Sequence, residues 1–378
     1  MKHIQEAKNQ IEMLWAKGTN YSSDVVQNAK KSNRLLHLDM DLTGECKLKC
    51  FYCDRTPDRF NNIPNRIELT TDERINLINQ AKELGAETVE FPGAGEPMID
   101  PGFWSIIEHI KSIDMTSVVF TSGYHIDDKN IDRLYENNAT IFLKYNHRNH
   151  DVQDRMVRVK GYGKKSENAL HLLIERGFNR TIPTRMAIDM VVTPSYIDIE
   201  EVSDIFRWCR DNNIHSYIST LIPEGLADTK SKILEREKSS HLLKTLAEID
   251  RKEYGLEYKI SFPLAGGYRC RQVNVGLFVN LFGEVYDCNG LGRFLGHIKK
   301  NSLSEIWNSK FAKKVREPNQ NGFCVLRERV WDGVESKGIE RKLEEYYNFK
   351  LKYGSDEILE KGLDFTGHLG GINTFKNH

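Results

Sequence analysis

The feature that most constrains the fold is an alternation of short apolar, β-branched runs with amphipathic segments between residues 35 and 260. Strand-like runs fall at 35–42, 88–91, 117–121, 140–145, 186–192 and 216–222. Segments with helical spacing follow them at 72–84, 103–113, 131–137, 167–176, 199–212 and 240–254. In the first of these, Ile75, Leu77, Ile78, Ala81 and Leu84 share one face. Thr70 or Thr71 caps it, and Gly85 and Gly177 stand where helices should stop. Six consecutive βα units need crossover helices, and those impose a parallel sheet. Such a sheet is either open and doubly wound or a partial barrel. In both, working groups belong at the C-terminal ends of the strands.

A chain of 378 residues suits about two domains. Its 54 basic and 54 acidic residues cancel, which argues against a nucleic-acid or membrane-surface binder, since both need a basic surplus. No run approaches the roughly 20 apolar residues of a membrane span. The N-terminal MKHIQEAKNQIEMLWAKG lacks the apolar core of a secretory signal. The expected location is cytoplasmic. Thiols stay reduced there, so the seven cysteines point to metal or redox chemistry rather than disulfides. The expected organisation is a helical leader over 1–34 and a core over 35–260. A smaller domain with short β-like runs at 275–279 and 284–286 covers 261–335, and a charged extension covers 336–378.

Directly after the first strand comes DLTGECKLKCFYCDRT, in which Cys46, Cys50 and Cys53 are spaced C-x3-C-x2-C. Three thiolates on one loop can hold three irons of a four-iron cluster, whose usual complement is four cysteines, and so leave one iron open. The competing reading is zinc, with a histidine such as His37 as fourth ligand. Structural zinc, however, favours paired spacings over a single triplet.

This triplet after the first strand of a βα series resembles the radical S-adenosylmethionine (radical SAM) superfamily. Tyr52, beside the last cysteine, resembles the family's aromatic next to the adenine. Gly93, Ala94, Gly95, Glu96 and Pro97 end the second strand and resemble the GGEP segment, with alanine in its second place. The resemblance implies an α/β fold, a partial (β/α)6 TIM-like barrel. It also implies a [4Fe–4S] cluster that binds S-adenosylmethionine and cleaves it reductively to a 5′-deoxyadenosyl radical, which abstracts a hydrogen atom from substrate. Glycines in that segment allow close backbone approach, and Glu96 accepts from the methionine ammonium. Asn146 sits where members often place a ribose contact. Arg158 sits where many place an arginine for the SAM carboxylate.

Further on, Cys270, Gly283 and Cys288 read C-x12-G-x4-C, and Cys324 follows. This resembles the SPASM and twitch extensions that carry auxiliary iron–sulfur clusters. Ile306 and Trp307 resemble the pair that ends their short helix. Only three cysteines are present, and Arg327 stands where a fourth would fall. The resemblance therefore implies a small α+β cluster-binding domain with one auxiliary [4Fe–4S] cluster. Its fourth position is open or is taken by Asp287, Asn289, His297, Glu328 or water.

Cys209 fits the apolar stripe of its helix and reads as a core thiol. His125, His147 and His150 read as loop histidines. Lys47 and Lys49 flank the triplet, Pro223 and Glu224 end the sixth strand with Glu224 in reach of substrate, and Tyr268 and Arg269 precede Cys270 at the expected domain interface. The leading expectation is oxidation or epimerisation of a sugar- or cyclitol-like small molecule, because the leader is too short for a peptide-binding domain. The alternative is radical modification of a peptide or protein. A flavodoxin or ferredoxin is the electron donor that the family implies. A non-enzymatic scaffold fits poorly with an intact triplet and GAGEP segment.

Overall fold

The computed structural model describes residues 10–53, 67–196, 198–221, 234–261, 264–268, 270–290 and 294–316. A leader helix α1 (Ser23–Lys31) precedes β1 (His37–Met40). Then follow α2 (Thr71–Glu83), β2 (Thr88–Phe91), α3 (Phe103–Ser112), β3 (Thr116–Thr121), α4 (Ile131–Glu136) and β4 (Thr140–Lys144). Two helices, α5 (His150–Val157) and α6 (Tyr162–Arg176), lead to β5 (Met186–Val192), α7 (Ile199–Asp211), β6 (His215–Thr220) and α8 (Arg236–Glu253). The remainder is α9 (Gln272–Val275), β7 (Gly276–Val279), β8 (Glu284–Tyr286), β9 (Phe294–His297), α10 (Leu303–Asn308) and α11 (Lys310–Arg316).

Nine strands form one sheet in the order β6-β5-β4-β3-β2-β1-β7-β8-β9. Strands β1 to β6 are parallel, as six crossover units require. Strand β7 adds parallel to β1, while β8 and β9 are antiparallel, so the C-terminal region continues the core sheet. The parallel part curves. Rings of Phe120 on β3 and Tyr217 on β6 have centroids 5.6 Å apart, although two strands lie between them. Three strand spacings would separate them by about 14 Å on a flat sheet. This is the partial TIM-like barrel expected from the sequence.

Alternation sorts the side chains. Val89, Phe91, Ile141, Leu143, Ile188 and Met190 join the main core with Leu77, Ile107, Leu173 and Phe206 of the helices. Each fully buried side chain of this kind contributes roughly 1.5–3 kcal/mol. Register places Asp39, Glu90 and Val118 side by side on the opposite, inner face, with Phe142, Lys144 and Asp189 further along.

Local signals explain the ends. Thr70 caps α2 in a reciprocal box: the Glu73 amide donates to Thr70 Oγ1 at 3.2 Å, and the Thr70 amide to Glu73 Oε2 at 2.8 Å. Gly177 ends α6 with φ +91°. The first strand is shorter than the run at 35–42, because Asp41 already departs from it after donating its amide to the Val279 carbonyl. Helices α6 and α8 begin earlier than their apolar spacing indicates. Helix α5 was not foreseen, since it buries only Gln153, Met156 and Val157.

Candidate active site

The loop after β1 carries the cysteine triplet and is pinned from two sides. The Lys49 and Phe51 amides donate to the Val157 and Met156 carbonyls at the C-terminal end of α5, at 3.0 and 3.1 Å. These are carbonyls a helix end leaves without internal partners. From the other side, the Glu96 amide donates to the Glu45 carbonyl at 2.8 Å. A Cβ on Gly95 would sit 2.1 Å from that same oxygen. Gly95 is therefore the residue that lets the GAGEP segment seat against the cysteine loop. Gly93 has φ +84°, and a Cβ there would lie 2.6 Å from the Gly95 carbonyl oxygen.

Within the loop the Leu48 amide donates to Cys46 Sγ at 3.4 Å, and the Cys53 amide to the Cys50 carbonyl at 3.1 Å. Burial pushes the Cys46 thiol up to about 11 and the Cys50 thiol up to about 12. The neighbouring sulfurs add to both shifts, and Lys144 opposes the second. Three partly buried sulfurs whose charges repel make a site that needs cations. Iron entering it displaces protons. Leu48, Val157 and buried Tyr162 wall the loop, and the Tyr162 hydroxyl donates to the Lys144 carbonyl at 2.9 Å.

Glu96 is buried beside this loop. Its carboxylate accepts from the Thr121 hydroxyl at 2.7 Å, and from the Ser122 amide at 2.9 Å and hydroxyl. The acid is thereby aimed by the end of β3. Tyr52 is buried, and its hydroxyl accepts from Asn146 Nδ2 at 3.1 Å. Asn146 Oδ1 in turn accepts the Val191 amide at 2.9 Å. Both polar atoms of Asn146 are thus spent on protein, which makes it a brace for Tyr52. Arg158 caps α5 in a left-handed conformation, φ +57°, with its side chain exposed.

Among the described residues a cation that faces the site is Lys144, which no motif in the sequence singled out. Its Nζ lies 2.6 Å from Asp189 Oδ2 and 5.8 Å from the centre of the Tyr52 ring. Its signal was a charged residue closing an otherwise apolar strand. Other expectations resolve simply. Cys209 is fully buried in the core. His147 pairs with Glu201 and His150 with Glu167, so the two do not form a site together. Lys47 lies over the Tyr124 ring at 5.5 Å. His37 belongs to the opposite end of β1 from the triplet, so it does not complete a zinc site there.

Cys270 and Cys288 of the second set lie at that opposite end. Phe278 pairs with Tyr286, so Cys288 comes level with Gly276, where β7 begins. Cys270 precedes the same point, separated from it by α9. Because β7 is parallel to β1, Cys270 and Cys288 sit beyond the strands' N-terminal ends, and the triplet sits beyond the C-terminal ends. The Gly290 amide donates to Cys288 Sγ at 3.4 Å. Gly283 has φ +88° and makes the turn that returns β8 to this level. His297 pairs with Glu284 at the far end of β8. Four extended residues, about 13 Å, separate it from the level of Cys288, which takes it off the set of fourth ligands. Asp287 and Asn289 flank Cys288 and remain. Cys324, Arg327, Glu328, Pro223, Glu224 and Arg269 lie outside the described residues. Ile306 and Trp307 are buried on α10, and Trp307 Nε1 donates to the Asn33 carbonyl at 2.8 Å.

Comparison with known proteins agrees with this layout. Residues 40–209 match the radical SAM superfamily, and residues 270–326 match SPASM, an iron–sulfur cluster-binding domain. A PqqA peptide cyclase of Granulibacter bethesdensis is 29% identical over 320 residues, covering 79% of this chain and 82% of that protein. One from Gluconobacter oxydans is 24% identical over 321 residues, covering 79% and 85%. Streptococcus suis SuiB bound to precursor peptide SuiA superposes with a TM-score of 0.59 at 14% identity, over 79% of this chain and 73% of that one. Native anSMEcpe with bound AdoMet and Cp18Cys peptide gives 0.55 at 15% identity, over 86% and 98%. At such identities the superpositions speak for the fold.

Proposed function

The chain belongs to the radical SAM superfamily, binds a [4Fe–4S] cluster with S-adenosylmethionine, and carries a SPASM iron–sulfur domain; from that premise we propose that it modifies a peptide, closing a bond between two of its residues. The observation that carries this reading is the similarity to PqqA peptide cyclases along 79% of the chain. The short leader favoured a sugar-like substrate. It does not separate this chain from those relatives, one of which the match covers over 82% of its length.

Cys46, Cys50 and Cys53 hold the first cluster in this proposal, and Cys270, Cys288 and Cys324 hold the second. When bound, the first cluster and SAM supply a 5′-deoxyadenosyl radical. The chain's residues do the positioning. Glu96, aimed by Thr121 and Ser122, takes the methionine ammonium. Tyr52, braced by Asn146, forms the wall beside the adenine. Lys144 takes the SAM carboxylate or a substrate carbonyl, and Asp189 holds it in place. The inner face of the barrel admits the reacting peptide side chains and keeps water from them. Closing a bond between two residues removes two hydrogens. The second cysteine set is the place for the odd electron to leave, and a flavodoxin or ferredoxin supplies the first electron.

The test is coexpression with short open reading frames encoded beside its gene, followed by mass spectrometry of the peptides. The expected result is a peptide lighter by two hydrogens, with a new crosslink in its fragmentation. An unchanged peptide together with oxidation of a small polyol by the purified enzyme would return the sugar reading.

A further inference from the structure

Inside the barrel, His37 and Asp39 of β1 and Glu90 of β2 form a cluster that the radical chemistry leaves unused. All three are more than nine-tenths buried, at 5%, 3% and 8% exposure. Their nearest ligand atoms lie within 4.8 Å of one another. His37 Nδ1 is 3.0 Å from Asp39 Oδ1 and 3.9 Å from Glu90 Oε1. Donor atoms about 2.1 Å from one ion lie up to roughly 4.2 Å apart, so closing on an ion asks for side-chain shifts of about half an ångström.

The charges in this cluster do not balance. Asp39 and Glu90 are direct neighbours in register across β1 and β2, and like charges so placed repel. Among the described residues no hydrogen bond reaches the Glu90 carboxylate; its side chain is 11% exposed and lies 3.9 Å from His37 Nδ1. An isolated buried carboxylate is costly and takes either a proton or a cation. The imidazole is held in place: it packs on Gly276, where a Cβ would lie 2.4 Å from His37 Cε1, and the Tyr21 ring stacks on it at 6.0 Å.

We infer that His37, Asp39 and Glu90 form a binding site for one divalent cation of the Mn2+, Fe2+ or Zn2+ class. Two carboxylates and a neutral imidazole balance one such ion, and nitrogen–oxygen donors without sulfur select this class over Cu+. Three protein ligands leave positions for water or a carbonyl or carboxylate oxygen of substrate. The register places the three side chains on the barrel's inner face. The site stands apart from the proposed peptide chemistry, so it can fail or hold without it.

The experiment titrates Mn2+ into reconstituted protein, with its clusters oxidised and EPR-silent, and reads free Mn2+ by EPR and bound Mn2+ by electron spin-echo modulation. The expected result is one Mn2+ per chain with modulation from one imidazole nitrogen. Affinity falls by at least roughly tenfold in Glu90→Gln. It is unchanged in the Cys46→Ala/Cys50→Ala/Cys53→Ala variant. Three results would overturn the site: no Mn2+ on the wild type, bound Mn2+ without imidazole modulation, or equal affinity in Glu90→Gln. Loss of Mn2+ in the cysteine variant would place the ion on the thiols, with the same consequence. If Glu90→Gln does not fold, the nitrogen modulation of the wild type decides alone.

Discussion

Gly95→Ala tests how the site is assembled. The added Cβ would meet Glu45 O at 2.1 Å, Glu45 C at 2.7 Å and Gly44 C at 2.8 Å. All are backbone atoms, so no side chain can swing away. Ordinary contact lies near 3.5 Å, so the cysteine loop and the GAGEP segment must part by about 1 Å or more. Overpacking of this kind costs about 1–3 kcal/mol. Weakening the Glu96–Glu45 backbone bond adds about 1 kcal/mol. The sum, about 2–4 kcal/mol, lowers the melting temperature by about 3–5 °C in a chain of this size. Cys46 directly follows Glu45, so the first cluster should suffer selectively. Iron per chain is expected to fall, S-adenosylmethionine binding to weaken, and the iron that survives in the Cys46→Ala/Cys50→Ala/Cys53→Ala variant to stay. Gly161→Ala is the control: nothing lies within 4 Å of its Cβ, and only its φ of +79° is strained. It should lose about 1–2 kcal/mol with full iron. A Gly95→Ala protein with wild-type iron content and SAM affinity would refute the seating of the loop on this glycine.

Other outcomes follow from the contacts already described. Ser122→Ala removes one of the donors on Glu96 and should weaken SAM binding by about 1–2 kcal/mol, read by calorimetry, with little change in melting temperature. Lys144→Met strands buried Asp189 and should cost about 2–4 kcal/mol in urea unfolding, with Lys144→Met/Asp189→Leu recovering most of it. His215 is buried against Phe142 and Tyr217, and burial, then the Arg210 charge, lowers its pKa from 6.5 to about 3. The unfolded chain therefore binds a proton that the folded chain refuses. Stability is full above pH 6.5 and falls as pH drops toward 3, by about 2 kcal/mol at pH 5. His215→Phe should remove that loss from the difference between melts at pH 7 and pH 5, and an unchanged difference would contradict it. Arg210→Met leaves fully buried Asp250 with only the Tyr258 hydroxyl of its three 2.8 Å donors and should cost about 3–5 kcal/mol.

The sequence was legible where local pattern and burial agree. Strands β2 and β5 have the bounds their β-branched runs indicate, because both faces are buried. The triplet and GAGEP segment meet, as consecutive strand ends of a parallel sheet must. Helix α5 was not legible, because a polar helix held by its ends carries no apolar stripe. The first turn of α6 was missed because Gly161, not a capping side chain, precedes it. Lys144 and the braced state of Asn146 depend on which strands become neighbours, and no local window contains that. Of the two caps the sequence offers, Thr70 and Thr71, the structure uses Thr70, because Glu73 three residues on can return its hydrogen bond. The position of Cys270 and Cys288 at the far end of β1 follows from a pairing between segments some 240 residues apart, His37 with Gly276.

The central claim, radical chemistry on a peptide, is tested most directly by following a hydrogen. A peptide made with deuterated amino acids, encoded beside the gene, is incubated anaerobically with the reconstituted enzyme, S-adenosylmethionine and a reductant. The account predicts deuterium in the 5′-deoxyadenosine and a peptide lighter by two of its hydrogens. Unlabelled 5′-deoxyadenosine with an intact peptide would contradict it.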